Sequence, residues 1–303
     1  MAAFTIKIFL IIATAVVLTI VFVLSFKFTP KIKNKPNIIL IILDSLRADH
    51  LGCYGYTRNT SPNIDDFAKN GLIFSKAFSQ GGYTLASVPS IFTSKLPLAY
   101  GVIIEKDGGR LAADEITLAE ILKKSGYVTA GFTGGGYTSH VYGLDQGFDL
   151  YQETDWGGIE EVSQLASDWL RKNKEKPFFL FLHSYTIHDP FNPPEPFNRL
   201  YETQNDGYLK GISLDHILFN KINEGVLKLN ERDLEYIISQ YDGNIRYCDE
   251  HLGRLFKEID SLGLTSNTLV ILTSDHGEDL MDHGTISHGD LYDVGIHVPL
   301  ILR

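Results

Sequence analysis

The chain has 303 residues, 44% of them hydrophobic and 21% charged, which is enough apolar material for one large core or a core with a small appendage. The formal charge is −10, and Lys and Arg gather only in a short run near the N-terminus. This argues against a nucleic-acid surface, which needs clustered cations. Cys53 and Cys248 are the only cysteines, which gives neither a disulfide framework nor a zinc-finger spacing, so both are read as buried or neutral.

Residues 1–7 form an N-terminal tail, and residues 8–26, IFLIIATAVVLTIVFVLSF, carry no charge. At about 1.5 Å per residue, a helix of this length nearly matches the roughly 30 Å hydrocarbon core of a bilayer. The run exceeds the apolar part of a usual signal peptide and no small-x-small site succeeds it, so a retained transmembrane anchor is expected. Residues 27–36 are a basic, Pro-punctuated linker, and its Lys27, Lys31, Lys33 and Lys35 favour a cytoplasmic position for the domain beyond it.

From Asn37 onward the composition is that of an α/β domain, 37–303. NIILIIL at 37–43 is a short β-branched run, as expected for a strand buried on both faces of a mostly parallel sheet. Asp44 comes directly after it, at the carboxyl end where such sheets place their sites, although an Asp there could equally cap the next turn. In GGYTLASVPSIFTSKLP, two glycines precede Thr84 and a short predicted helix. A hydroxyl at a helix N-terminus suits a tetrahedral oxyanion, and it also suits an ordinary N-cap. Ser87 lies one turn further in.

A second apolar strand is expected at 178–182. It ends in His183 and, after His188, a Pro-rich loop. Imidazoles there can bind metal, donate to an anionic oxygen or shuttle a proton. A long helix is predicted over 231–262, with Leu234, Ile238, Tyr241, Ile245, Cys248, Leu252, Leu255, Ile259 and Leu262 on one face. It leads into a strand at 268–272 and then to Asp275 and His276, which can turn towards one ion in the loop beyond. His288 stands in SHGDLY, and 296–302 reads as a further buried strand. His50, His140, His251 and His283 are read as solvated or satisfied.

The series NIILIILDSLRADHLGCYGY, TSPNIDDFAKNGLIFSKAFS, T-x-x-S-x-P-S, GLDQGFD, FLHSYTIHDPFNPP, YDGNIRYCDEHLGRLFKEIDSLGL and TSDHGEDLMDHGTISHG resembles, in order, the sulfatase family of the alkaline-phosphatase superfamily. The resemblance implies an alkaline-phosphatase-like three-layer sandwich, a mostly parallel central sheet with helices on both faces. It also implies a divalent-metal site and attack on a phosphate or sulfate ester through a covalent intermediate. Carried over, Asp44, Thr84, Asp275 and His276 would be metal ligands, Thr84 the nucleophile, and His188 and His288 the holders of the ester oxygens or leaving group. Zinc or manganese would fit this donor set best, ahead of calcium or magnesium.

Two departures stand out. The C/S-x-P-x-R segment of formylglycine sulfatases is replaced by Thr84-Leu85-Ala86-Ser87-Val88, and the expected Asp-Asp pair by Asp44-Ser45. Thr84 instead resembles the threonine of phosphoethanolamine transferases and lipoteichoic acid synthases. The resemblance therefore implies a small-molecule, lipid-head-group or glycan ester as substrate, and a catalytic domain outside the cytoplasm, against the lysine clue. It also implies a domain lacking its smaller C-terminal part. The rival readings are a sulfatase acting without formylglycine and a membrane-tethered binding protein without turnover.

Overall fold

The computed structural model describes residues 35–99, 109–202 and 207–303. The apolar stretch 8–26 expected to span a membrane lies outside the described residues, and among those described no helix is long and apolar enough to cross one. The chain divides between Lys35 and Pro36, and the second unit, Pro36–Arg303, holds every element below.

In chain order these are β1 (Asn37–Leu43), α1 (Pro62–Lys69), β2 (Leu72–Ile73), β3 (Ala77–Phe78), α2 (Thr84–Thr93), α3 (Leu118–Lys124), β4 (Val128–Thr133), β5 (Leu150–Glu153) and α4 (Ile159–Asn173). They continue with β6 (Phe178–Ser184), α5 (His216–Asn223), α6 (Glu231–Ser261), β7 (Thr268–Thr273), β8 (Asp279–Leu280), β9 (Ile286–Ser287), α7 (Asp293–Ile296), β10 (His297–Val298) and β11 (Leu300–Leu302).

Seven strands form the main sheet in the order β2-β11-β7-β1-β6-β4-β5. Strands β7 through β5 are parallel, while β11 and β2 add an antiparallel margin. The central strand β1 pairs Ile42 with His183 of β6 and with Thr273 of β7, so three strand ends finish level with one another.

Alternation along these strands sorts the core into two layers. Ile39, Ile41, Leu43, Phe178, Leu180, Leu182, Val270 and Leu272 face one side, where α1, α4 and α6 pack. Leu40, Ile42, Phe179 and Phe181 face the other, beneath Val88 and Phe92 of α2 and Ala119 of α3. Each such aliphatic or aromatic side chain withdrawn from water contributes about 1.5–3 kcal/mol, which fixes the register of the strand ends that carry the site.

The expected helix is present as α6, opened by an Asn230 capping box. Ile237 rather than Ile238 occupies its buried face in the first turns, and Tyr241, Ile245, Cys248, Leu252, Leu255 and Ile259 continue it. The expected strand 296–302 is divided instead. Pro299 has no N–H for a ladder, so His297–Val298 pairs with β3 while Leu300–Leu302 enters the main sheet between β7 and β2. Cys53 and Cys248 are both free thiols.

Candidate active site

Because β1, β6 and β7 end level, the alternation that puts Leu40 and Ile42, Phe179 and Phe181, and Ile271 and Thr273 on the α2 side also carries Asp44, His183 and Asp275 to that side. The ladder persists past β1, since the Asp44 N–H donates to the Ser184 carbonyl at 3.1 Å. All three side chains are fully buried, and each offers one ligand atom within 4.8 Å of the others. His276 turns into the same space, its Nε2 3.6 Å from Asp44 Oδ1 and 3.5 Å from Asp275 Oδ2.

Hydroxyls brace the strand ends. Ser274 Oγ lies 2.6 Å from the carbonyls of both Leu43 and His276 and accepts from the Leu46 N–H at 3.0 Å. After Asp44 the chain turns through Ser45, whose φ of +59° is left-handed and whose hydroxyl donates to Asp44 Oδ1 at 2.9 Å.

Thr84 enters from above. The helix α2 begins at Thr84 with Tyr83 as N-cap, and no side chain caps it. The residue is therefore the first of the helix, not its cap, and its hydroxyl is free to donate to Asp44 Oδ2 at 3.1 Å. Ser87 is committed elsewhere, with its Oγ 2.8 Å from the Gly81 carbonyl and 3.0 Å from that of Tyr83. The glycines ahead of Thr84 permit close approach: a Cβ on Gly82 would stand 2.4 Å from the Asp290 carbonyl oxygen, in the loop that carries His288.

His188 and His288 complete the group. Their rings lie 4.8 Å apart, and His288 stacks on His276 at 4.7 Å. Burial opposes charge on His188, but Asp189, whose Oδ1 is 2.9 Å from Nδ1, and Asp44 raise its pKa to about 10. For His288 burial is likewise overcome, here by Glu278 at 3.2 Å, and its pKa is raised. The acidic partners thus favour the protonated form of each imidazole. Burial also works against ionised Asp44, yet His276, His183 and His188 hold its carboxyl well below the usual range. Burial and the neighbouring Asp44 charge raise the pKa of Asp275.

Among the described residues, both ring nitrogens of His183, Asp275 Oδ2 and His276 Nε2 are buried without a hydrogen-bond partner. An orphaned buried polar atom costs about 1–3 kcal/mol, and a cation held between Asp275 Oδ2, His276 Nε2 and one ring nitrogen of His183 would offset that cost. Two carboxylates, two imidazoles and a hydroxyl are a donor set that could hold a divalent cation.

The structure thus brings together all of Asp44, Thr84, Asp275, His276, His188 and His288. Of the imidazoles read as able to bind metal, it places His183 with Asp44 and Asp275 in the group of candidate ligands, and it adds Asp189 and Glu278 as the partners that orient the two outer imidazoles. His183 was legible by extending the strand alternation one residue past the apolar run. Asp189 and Glu278 carry no such signal.

Comparison with known proteins matches residues 36–303 to the family model described as Sulfatase. The human iduronate 2-sulfatase is 28% identical over 88% of this chain, and the match spans 59% of that relative's length. Among solved structures, the phosphonate monoester hydrolase of Agrobacterium radiobacter superposes with a TM-score of 0.70 at 21% identity, covering 89% of this chain and 68% of the other. The C-terminal periplasmic domain of the phosphoethanolamine transferase EptC from Campylobacter jejuni gives 0.68 at 21% identity, covering 89% and 79%. At these identities the two structures share the fold.

Proposed function

This chain belongs to the sulfatase family, and we propose that it is a membrane-anchored, metal-dependent enzyme that cleaves or transfers a phosphate or phosphodiester ester through a covalent Thr84 intermediate. One observation carries the reading: the Thr84 hydroxyl, 3.1 Å from Asp44 Oδ2, faces the buried orphaned ligand atoms, whereas Ser87 beside it is consumed by backbone carbonyls.

Asp44, His183, Asp275 and His276 would hold a divalent cation together with the Thr84 oxygen. When bound, such an ion supplies Lewis acidity and lowers the pKa of the hydroxyl it touches. The chain's own groups do the rest. Asp44 Oδ2 accepts the Thr84 proton's hydrogen bond and aligns the oxygen for in-line attack on phosphorus. Thr84 gives up its hydroxyl proton to solvent, and its Oγ–P bond forms as the bond from phosphorus to the leaving alkoxide breaks. His188 and His288, whose protonated forms Asp189 and Glu278 favour, donate to the non-bridging oxygens, and His188 gives a proton to the departing alkoxide. Water or a second alcohol then takes the group from Thr84, which makes the enzyme a hydrolase or a transferase.

The likeness to iduronate 2-sulfatase favours a second reading, hydrolysis of a sulfate ester without formylglycine. Matched aryl phosphate and aryl sulfate esters separate the two, and faster turnover of the sulfate would sink the first. The direct test is intact-mass analysis of the metal-loaded protein incubated with candidate donors. An adduct of phosphoryl mass on Thr84 is the expected result, and its absence during steady turnover would remove the covalent step. The apolar run 8–26 supports a single N-terminal anchor, with the domain outside the cytoplasm as for a protein acting on exported esters. A reporter fused after Arg303 and active only in the cytoplasm would refute that placement.

A further inference from the structure

We infer that Arg47 and Asn223 are positioning residues: they hold the β8–β9 hairpin from two sides, and so fix His288 over the strand-end group. The inference rests on the proposed chemistry for what His288 does, and on hydrogen bonding alone for where it is held. Strands β8 and β9 pair through Asp279–Ser287 and Leu280–Ile286. Glu278 and His288 are the next residues outward on the two strands, and they meet there, with Glu278 Oε2 3.2 Å from His288 Nδ1. The His288 ring then stacks on that of His276 at 4.7 Å. A two-stranded hairpin is marginal by itself, and this one is short. The place of His288 therefore depends on what grips the hairpin from outside.

The first grip starts at the strand end that carries Asp44. The Arg47 N–H donates to the Tyr241 hydroxyl at 3.0 Å, and that hydroxyl donates to the Ser45 carbonyl at 2.6 Å, so the segment 44–47 is tied to α6. The Arg47 side chain is buried. Its Nε and Nη2 bond the two oxygens of Asp49 at 2.9 and 2.8 Å, which sets the plane of the guanidinium. Nη1 is left to reach the hairpin, where it donates to the Glu278 carbonyl at 3.1 Å and to Asp282 Oδ2 at 2.6 Å. One short segment thus carries a candidate ligand, Asp44, at one end and a clamp on the hairpin at the other. A lysine ammonium lacks the planar fork that makes all four bonds at once. The second grip is on the other strand. Asn223 of α5 accepts from the Ile286 N–H at 2.8 Å and donates to the Ile286 carbonyl at 3.0 Å, so its amide pairs with both backbone groups of one residue, as a neighbouring strand would. Leu280 and Ile286 sink their side chains into the core beneath. Arg47 holds the end that bears Glu278, and Asn223 the end that bears His288.

The test reads motion and turnover separately, in the full chain carrying Arg47→Lys or Asn223→Ala. Asn223 is only half-buried, so its variant leaves the core intact. Amide hydrogen exchange over 279–288 should quicken by about tenfold in either variant, with β1, β6 and β7 exchanging as in wild type. Unchanged exchange in the hairpin, or a rise shared equally by the sheet, would overturn the inference. Turnover of phenyl phosphate is then measured for each variant, alone and combined with His288→Ala. Each single variant should lower kcat by about tenfold or more with KM within about threefold of wild type, since a displaced imidazole is lost to the transition state first. Neither should lower kcat further once His288 is gone, because the same interaction cannot be lost twice. A loss that adds in full to that of His288→Ala, or wild-type kcat in both single variants, would show that the two residues do not act through His288. Quickened exchange confined to the hairpin of a protein that turns over no ester would reject the proposed chemistry and leave the two grips standing.

Discussion

Among the described residues, two buried clusters pair aspartate with histidine, and their hydrogen bonding sets them apart. On α6, Asp242 is fully buried, with Oδ1 2.7 Å from His50 Nδ1, while Oδ2 accepts from the Tyr56 hydroxyl at 2.7 Å and from Arg58 at 2.8 Å. The His50 ring packs on Tyr56 and Tyr241 at 4.6 and 5.0 Å. None of these four side chains is among the orphaned buried groups, whereas the strand-end cluster of Asp44, His183, Asp275 and His276 leaves four atoms without a partner. Each pairs a fully buried aspartate with a buried histidine. Satisfaction separates them: a saturated network holds loops to a helix, and an unsaturated one is shaped for something that binds.

The sharpest way to break this comparison is Thr84→Ala. If the strand-end cluster is chemical, the variant should lose turnover by about a thousandfold or more, with no covalent adduct and a thermal midpoint within a degree or two of wild type. Undiminished turnover would show that the unsatisfied atoms do not serve a threonine nucleophile. Asp242→Ala should do the reverse. Removing the acceptor leaves His50, Tyr56 and Arg58 unpaired, and since Arg58 is partly exposed the cost is discounted to roughly 3 kcal/mol. Denaturant unfolding should show that loss, while kcat of the surviving folded enzyme stays within about threefold of wild type. A thousandfold drop in kcat would place Asp242 in the chemistry.

Metal removal sharpens the distinction further. Zinc at about a hundred times its Kd should stabilise the wild-type protein by about 2.7 kcal/mol over the metal-free form, read as a rise in thermal midpoint. Asp242→Ala should keep that rise on its lower baseline, and His183→Ala should lose most of it. An undiminished zinc effect in His183→Ala would remove His183 from the ligand group.

Much of this was legible from residues alone. Runs such as NIILIIL and FFLFL fix parallel strands because only a sheet covered on both faces buries them, and Asp44 and Asp275 could be found because chemistry collects at the carboxyl ends of such strands. The likeness to the sulfatase family named Thr84, His188 and His288, and the geometry gathers them. The hidden part depends on contacts remote in sequence. Glu278 meets His288 across a hairpin, Asp242 meets His50 from 192 residues away, and the splitting of 296–302 at Pro299 depends on which strand edges are open. Periodicity reports which face a residue occupies. It is silent on whether a buried polar atom there finds a partner, and that decides which cluster acts.

The smallest expected effect is that of Ser87→Ala, and it tests the comparison within a single helix. Ser87 is fully buried three residues after Thr84, so position alone would make it a rival nucleophile. Its oxygen sits 2.8 Å from the Gly81 carbonyl and 3.0 Å from that of Tyr83, and it accepts from the Ser79 hydroxyl at 3.0 Å. It is therefore satisfied in the way Asp242 is. Deleting it strands little: the Gly81 carbonyl keeps the Ser79 hydroxyl at 2.9 Å, and the Tyr83 carbonyl keeps the N–H groups of Ala86 and Ser87, both at 3.1 Å. With both carbonyls still paired, the loss should be about 1 kcal/mol of stability. The Gly81–Tyr83 loop loses one brace, so kcat should fall by less than about tenfold, the scale of a 1.4 kcal/mol change in barrier. Peptide mapping of the trapped adduct should still find it on Thr84. An adduct on Ser87 in the wild type, or a drop in Ser87→Ala as deep as that of Thr84→Ala, would mean that a saturated hydroxyl can be the reactive one and that satisfaction does not separate structure from chemistry in this fold.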